Sequence, residues 1–432
     1  MKRLSSSPEW NEILNLLFED EVSEFQSNGP NTFFIKRKGK RIHLEHINFP
    51  DEISYEDSVI EYLVPHVKSI FPYKKNTYLF EGPLRMDNGE KKITGRCHIV
   101  MPPAADSPQI TIAKHSTTLG TIEKVAATGT MSTEMMLFLK KCVEASLTLV
   151  FSGGTGAGKT TMMTALCTLI PHDIRIGIAE DTPELHLTQK NVIYQHSEPA
   201  KPTDQGNTAD LPWVVKQFQR QRVDRIIIGE TRGAEFAEFL VAANSGMEGS
   251  MTTLHANTPV KSLDKMSNFA LRGTDRVPIR AINADIAQAI DVVIQLTNVG
   301  GRHKITSIQE ITDTVGQNED AKISTQALFV YDPLTDTWHR PNQPTDALRE
   351  KFRIKKINIS DVLSSKIGEK QPPFVSGDAR SSESNRDTIK LRERLDADSE
   401  PRRMVRPSSN SERSIGGGMR RNTGGIPTPR RI

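Results

Sequence analysis

Cysteine is scarce in this sequence. Cys97, Cys142 and Cys167 are the only three in 432 residues, and no two of them form a C-x-x-C pair. That excludes a zinc ribbon and a disulfide framework, and fits a reducing cytosol. Apolar runs approaching the length of a membrane span are also missing. The N-terminal stretch MKRLSSSPEWNEILNLLFEDEVSE breaks its apolar residues with acids at helical spacing and supplies no signal-peptide h-region. Any work at a membrane is therefore expected from the cytoplasmic side, as a peripheral protein. Aromatic residues make up 6% and mean hydropathy is −0.45, the profile of a water-soluble chain carrying some polar, poorly folding sequence.

Acids run short at one end only. Residues 401–432 carry eight arginines (402, 403, 406, 413, 420, 421, 430 and 431) against Glu412 alone, a net +7, so the first 400 residues carry −4. From about Ser365 the composition turns to Ser, Arg, Gly and Pro, and 365–432 is predicted as a disordered basic tail that cannot bury enough surface to offset its ordering entropy. Residues 401–432 also lack aromatics for base stacking. Nucleic-acid phosphate, anionic lipid or an acidic partner would satisfy their charge equally.

Upstream, residues 1–115 mix patterns and predict an α+β domain. NTFFIKRKGKRIHLEHINFP reads as a hairpin around KRKGKR, ISYEDSVIEYLVPHVKSIF as an amphipathic helix, and ITGRCHIVMPP and QITIAKH as strands. Residues 116–131 read as a connector. Over 132–355, apolar runs (LTLVFSGG, IRIGIAE, NVIYQH, DRIIIGE, SMTTLHA, DVVIQL) alternate with helical stretches, and a hairpin closes the region. This predicts an α/β domain with a mainly parallel sheet.

The first of those runs leads into GGTGAGKTT. Gly153, Gly158, Lys159 and Thr160 complete G-x-x-x-x-G-K-[ST], with an apolar strand before it and a helix after it. At average residue usage such a match arises by chance in on the order of 1–2% of chains this long, before the flanks are counted. The loop Gly153, Gly154, Thr155, Gly156, Ala157, Gly158, with Lys159, Thr160 and Thr161, is the expected phosphate cradle. Lys159 would serve the β/γ-phosphates and the Thr160 hydroxyl Mg²⁺. A dinucleotide fold is the competing reading, since Glu180 and Asp181 follow at about the right distance. The spacing G-x-G-x-G and the Lys159–Thr160 pair do not fit it. No N-K-x-D follows, which favours ATP over a guanine nucleotide.

Acids sit at the ends of two later strands. Glu230 follows IIIG as the carboxylate of a Walker B strand would, able to order Mg²⁺ or the attacking water. Glu180 and Asp181 form a second acidic pair, and the competing reading of Asp181 is an Asp-Thr-Pro turn. As candidate metal-side oxygens this gives Thr160, Asp181 and Glu230.

GGTGAGKTT, AEDTPEL, DRIIIGETRG and GSMTTLHAN, in that order, resemble the traffic ATPases of type II and type IV secretion and pilus systems, nearest the Flp/Tad-pilus and conjugation branch. GRCHIVMPP and QAIDVVIQL with GGRHKITSIQEI extend the similarity over about residues 80–335. The resemblance implies a RecA-like P-loop core behind an N-terminal domain, ATP in the cleft between them, and a homo-hexamer. It also implies inner-membrane platform or secretion-channel proteins as partners. It places Glu180 and Asp181 in an aspartate box, Glu230 in the Walker B box and His255 in a histidine box that could report the γ-phosphate. Which glutamate is the general base stays open: Glu230 is assigned to water and metal, Glu180 to assisting or taking the proton. Arg85, Arg96 and Arg232 are the candidate transition-state arginines. Where the family commonly has Ile-Arg-Lys/Arg, ITIAKH leaves Lys114, which lacks the bidentate fork. The four-cysteine zinc element of the type II branch is absent. A nucleic-acid translocase or packaging motor using the basic tail is the alternative function.

Overall fold

The computed structural model describes residues 7–67, 78–114, 120–197, 209–274, 277–316 and 322–375. The first folded layer is a helix laid on an antiparallel sheet. Helix α1 (Pro8–Phe18) starts with proline at its first position and Ser7 as N-cap, whose hydroxyl accepts the Trp10 N–H. It buries Trp10, Ile13, Leu14, Leu17 and Phe18, one apolar stripe at helical spacing. The strands are β1 (Val22–Ser27), β2 (Phe33–Arg37), β3 (Lys40–His43), β4 (Leu79–Asp87), β5 (Lys92–Val100) and β6 (Gln109–Lys114), in the order β3-β2-β1-β6-β5-β4. Helix α2 (Glu52–Tyr62) adds Tyr55 and Val59 to the same core. The predicted hairpin is β2–β3, and the two predicted strands are β5 and β6; the helix predicted over 53–71 is α2 as far as Tyr62, a 3-10 turn follows at Val64–His66, and 68–71 lie outside the described residues. Two strands of this sheet escape the sequence reading. The helical spacing of the N-terminus stops at Phe18, and the next residues pair as β1 between β2 and β6. LFEGPLRMD forms β4 despite its Gly-Pro pair, because it lies at the sheet edge, where a missing N–H costs no ladder bond.

Residues 116–119 of the expected connector lie outside the described residues, and the rest of it is not loose. Ile122–Ala127 forms a short helix, α3, and Ile122, Ala126 and Met131 have no exposed surface. Helix α4 (Thr133–Glu144), capped by Ser132, then leads into the second sheet. Six strands run parallel there: β7 (Leu149–Gly153), β8 (Ile176–Glu180), β9 (Val192–His196), β10 (Arg225–Thr231), β11 (Met251–His255) and β12 (Val292–Val299). Helices α5 (Lys159–Cys167), α6 (Leu211–Arg220), α7 (Glu235–Asn244), α8 (Pro259–Arg272) and α9 (Ile279–Ala289) connect them. Antiparallel β13 (Arg302–Val315), β14 (Lys322–Asp332) and β15 (Thr337–His339) extend one edge, giving β15-β14-β13-β12-β7-β11-β10-β8-β9. β7, β8, β10 and β11 are almost wholly buried because helices cover both faces, which is why they read as continuous apolar runs.

Helix α10 (Asp346–Ile354) closes the fold by burying Leu348 and Phe352. The chain stays packed beyond the expected start of the tail at 365. Gln371 exchanges backbone hydrogen bonds with Trp338 and accepts one from the Ser132 hydroxyl, and Phe374 is buried. These isolated anchors in a polar stretch move the boundary to at least residue 375. The rest of the predicted tail, 376–432, lies outside the described residues.

Candidate nucleotide site

The parallel strands deliver their last residues to one sheet edge. β7 runs out at Gly153 into the loop, and α5 begins at Lys159. Gly156 (φ 69°) and Gly158 (φ 88°) take left-handed backbone, and no side chain caps α5. Such a loop at a helix start aims its N–H groups at an anion. Gly153 is needed for a different reason: a Cβ there would lie 2.5 Å from the Leu296 carbonyl oxygen on β12. Gly153→Ala is expected to destabilise the chain by about 1–3 kcal/mol through overpacking, read as a lower midpoint in urea unfolding; an unchanged midpoint would show that β12 can give way.

Lys159 is buried and folds back on its own loop. Its Nζ donates to the Gly154 carbonyl at 3.0 Å and stands 3.3 Å from His255 Nδ1. Burial brings its ammonium pKa down to about 8, against the pull of Glu230. His255 ends β11 in register with Gly153, and its Nε2 lies 3.0 Å from Glu230 Oε1. An imidazole with its proton on Nε2 satisfies both contacts, accepting from the lysine and donating to the carboxylate. Arg232 grips Glu230 with two parallel bonds, Nε to Oε1 and Nη2 to Oε2, each 2.8 Å. Burial would raise the Glu230 carboxyl, but the bonds from His255 and Arg232 outweigh it and hold it well below the usual carboxylate range. One polar chain therefore runs Lys159–His255–Glu230–Arg232.

Glu180 stands beside this chain, at the end of β8 next to β10. Its side chain crosses over Gly229, where a Cβ would come within 2.9 Å of Cγ. The carboxylate accepts the N–H groups of Glu184 at 3.1 Å and Leu185 at 3.0 Å. Burial nonetheless pushes it up to about 8. Asp181, the next residue, keeps its charge within reach of Arg232. It is exposed and accepts from the Ser197 hydroxyl at 2.6 Å.

The three candidate arginines separate. Arg232 is within the polar chain. Arg96, on β5, donates to Glu184 Oε1 at 2.5 Å and so ties the antiparallel sheet to the loop after β8. Arg85 is exposed on edge strand β4, opposite Thr94, away from these contacts. Lys114 donates to the Glu19 carbonyl and lines the cleft over the loop. Two further residues belong here that the sequence does not single out. Glu184 lies inside AEDTPEL but reads as turn composition. His303 stands 3.3 Å from where a Gly158 Cβ would be, brought there by the β12–β13 hairpin.

Among the described residues no group of three or more His, Cys, Asp or Glu could cage a metal. The Thr160 hydroxyl and the nearby carboxylates are hard oxygen donors, which suit Mg²⁺ held mainly by phosphates and water.

The sheet, loop and acids define a RecA-like P-loop nucleotide-binding protein. Residues 81–327, more than half the chain, match the family model described as Type II/IV secretion system protein, and the chain belongs to that family of secretion ATPases. It is 27% identical over 229 residues to the conjugal transfer protein TrbB of Rhizobium radiobacter, covering 52% of this chain and 67% of the relative. It is 31% identical over 181 residues to the type IV secretion system protein VirB11 of Bartonella henselae, covering 40% and 49%. The chain thus spans from about half to two thirds of the length of these relatives. The X-ray structure of the Legionella pneumophila ATPase DotB superimposes with a TM-score of 0.50 at 15% identity, covering 89% of this chain and 95% of that one, a likeness of fold. No described helix is long and apolar enough to cross a membrane.

Proposed function

We propose that the chain hydrolyses ATP and, as a homo-hexamer at the cytoplasmic face of the inner membrane, drives transport through a secretion or pilus apparatus. The observation that carries this reading is the unbroken chain from Lys159 through His255 to Glu230 and Arg232. It couples the phosphate-binding lysine to a carboxylate on another strand. When a triphosphate occupies the loop, Lys159 exchanges Gly154 and His255 for phosphate oxygens. His255 loses a donor, and its hold on Glu230 and Arg232 changes. The state of the terminal phosphate is thereby passed to β10.

In hydrolysis, Glu230 orients the attacking water and Arg232 offsets charge that develops on the phosphoryl group. Glu180, with a carboxyl pushed towards neutrality, takes the proton. Mg²⁺, when bound beside Thr160, neutralises phosphate charge and fixes the phosphate geometry. The likeness to the conjugal transfer protein TrbB and the type IV secretion system protein VirB11 supports conjugation-type export as the work performed, with channel or platform proteins as the partners.

The test is ATP turnover by the full chain and by a chain ending at residue 400. Wild-type hydrolysis, with a basal rate unchanged by removing 401–432, supports the reading. An inactive hexamer would make the chain a scaffold. Turnover that requires added DNA and vanishes with the tail would favour a nucleic-acid translocase.

A further inference from the structure

The cleft over the P-loop has a second wall. A cavity of about 570 Å³ separates Gly156, Gly158 and Thr160 from Lys36, Lys38 and Lys114. Lys36 lies on β2, Lys38 in the turn that follows, and Lys114 at the end of β6. That turn reaches the nucleotide side of the molecule: a Cβ on Gly39 would lie 3.7 Å from the carbonyl oxygen of Gly301, between β12 and β13. Three ammonium groups across from an anion cradle repel one another unless something answers their charge. Lys36 pairs with Glu24 at 2.9 Å and Lys38 with Glu21 at 2.7 Å, while Lys114 donates to a backbone carbonyl. Glu21 and Glu24 line the same cavity.

The Lys38–Glu21 pair does little for the fold, while the Lys36 and Glu24 side chains are half-buried. The Lys38 and Glu21 side chains are 70% and 51% exposed, and ion pairs open to water contribute almost nothing to stability. They are instead well suited to exchange. A polyphosphate carries more charge than a carboxylate and offers more acceptor oxygens, and lysine is a point charge on a flexible stem that can change partner. We propose that Lys36, Lys38 and Lys114 are phosphate-binding residues of the nucleotide site, and that Glu21 and Glu24 are resident counter-ions which the polyphosphate displaces on entry. The proposal rests on the reading of this cleft as an ATP site. The acids also recapture the lysines as product leaves, so that release does not strand bare cations.

The experiment is equilibrium binding of ATP to the full chain. The Lys36→Ala/Lys38→Ala variant should bind roughly tenfold or more weakly, the scale of a charged hydrogen bond, and Lys36→Arg/Lys38→Arg should restore affinity. Glu21→Gln/Glu24→Gln should bind about threefold more tightly, the scale of an exposed ion pair. That gain should vanish when Lys36 and Lys38 are already alanine, because the acids then have nothing to compete for. Unchanged affinity in the lysine variant, or a gain from the acid variant that persists without the lysines, overturns the proposal while the ATP site stands. No ATP binding by the wild-type chain overturns the ATP reading and this proposal with it.

Discussion

Glu230→Gln is expected to bind ATP and to lose roughly 10²–10³-fold in turnover, the range for removing one preorganised transition-state group. Glu230 is the hub of the polar chain. Its two oxygens take both nitrogens of Arg232, and Oε1 also meets His255 Nε2. An amide offers one acceptor oxygen and turns an NH₂ towards donors, so at least one of these bonds becomes a clash of donors. Arg232 loses its fork, and His255 loses the acceptor that fixes its tautomer. The P-loop N–H groups are untouched, which is why binding should survive. Because its partners hold the Glu230 carboxyl well below the usual range, it is ionised throughout the working pH range. The ratio of wild-type to variant rates should therefore lack a step from Glu230 itself. Single-turnover hydrolysis beside equilibrium ATP binding checks both halves. Loss of binding would make Glu230 a structural residue, and a wild-type rate would remove it from the chemistry.

The parts of the site legible in the sequence share one property: each ends an apolar strand. Gly153, Glu180, Glu230 and His255 close or nearly close β7, β8, β10 and β11. In a parallel sheet those ends meet along one edge, so a local pattern already carries the tertiary placement. The glycines and Lys159 are legible for a similar reason, since loop, strand and helix are contiguous. What stays hidden depends on packing between distant segments. Lys36 and Lys38 look like an ordinary solvated hairpin until the β2–β3 turn is seen beside Gly301. Arg85 and Arg96 look equivalent in sequence. Only their places on an edge strand and on its inner neighbour separate the exposed arginine from the one that reaches Glu184. Phe374 and Gln371 are single anchors in a polar stretch, and a single anchor has no period to detect.

Glu180→Gln should trade activity for stability, and the trade should depend on pH. In the folded chain Glu180 is buried and its carboxyl is pushed up to about 8, from an ordinary value of 4.5. Between those two values the unfolded chain releases a proton that the folded chain keeps, so rising pH favours unfolding. The contribution of Glu180, measured against the alkaline limit, is therefore complete below about 4.5, declines across the window and is gone above about 8. Glutamine has no such titration, and its side-chain oxygen can still accept the N–H groups of Glu184 and Leu185 that shape the following turn. Relative to the variant, the wild type should thus lose stability on the order of a few kcal/mol from pH 5 to pH 8, followed by urea unfolding at intervals across that range. Turnover should fall by roughly 10²–10⁴-fold, as expected when a general base is removed, and the wild-type rate should rise towards pH 8 as the carboxylate forms. Parallel stability curves would mean that Glu180 does not titrate in this window. Wild-type turnover in the glutamine variant would pass the proton to another acceptor, and burial of this carboxyl would then have to be explained by the turn it anchors.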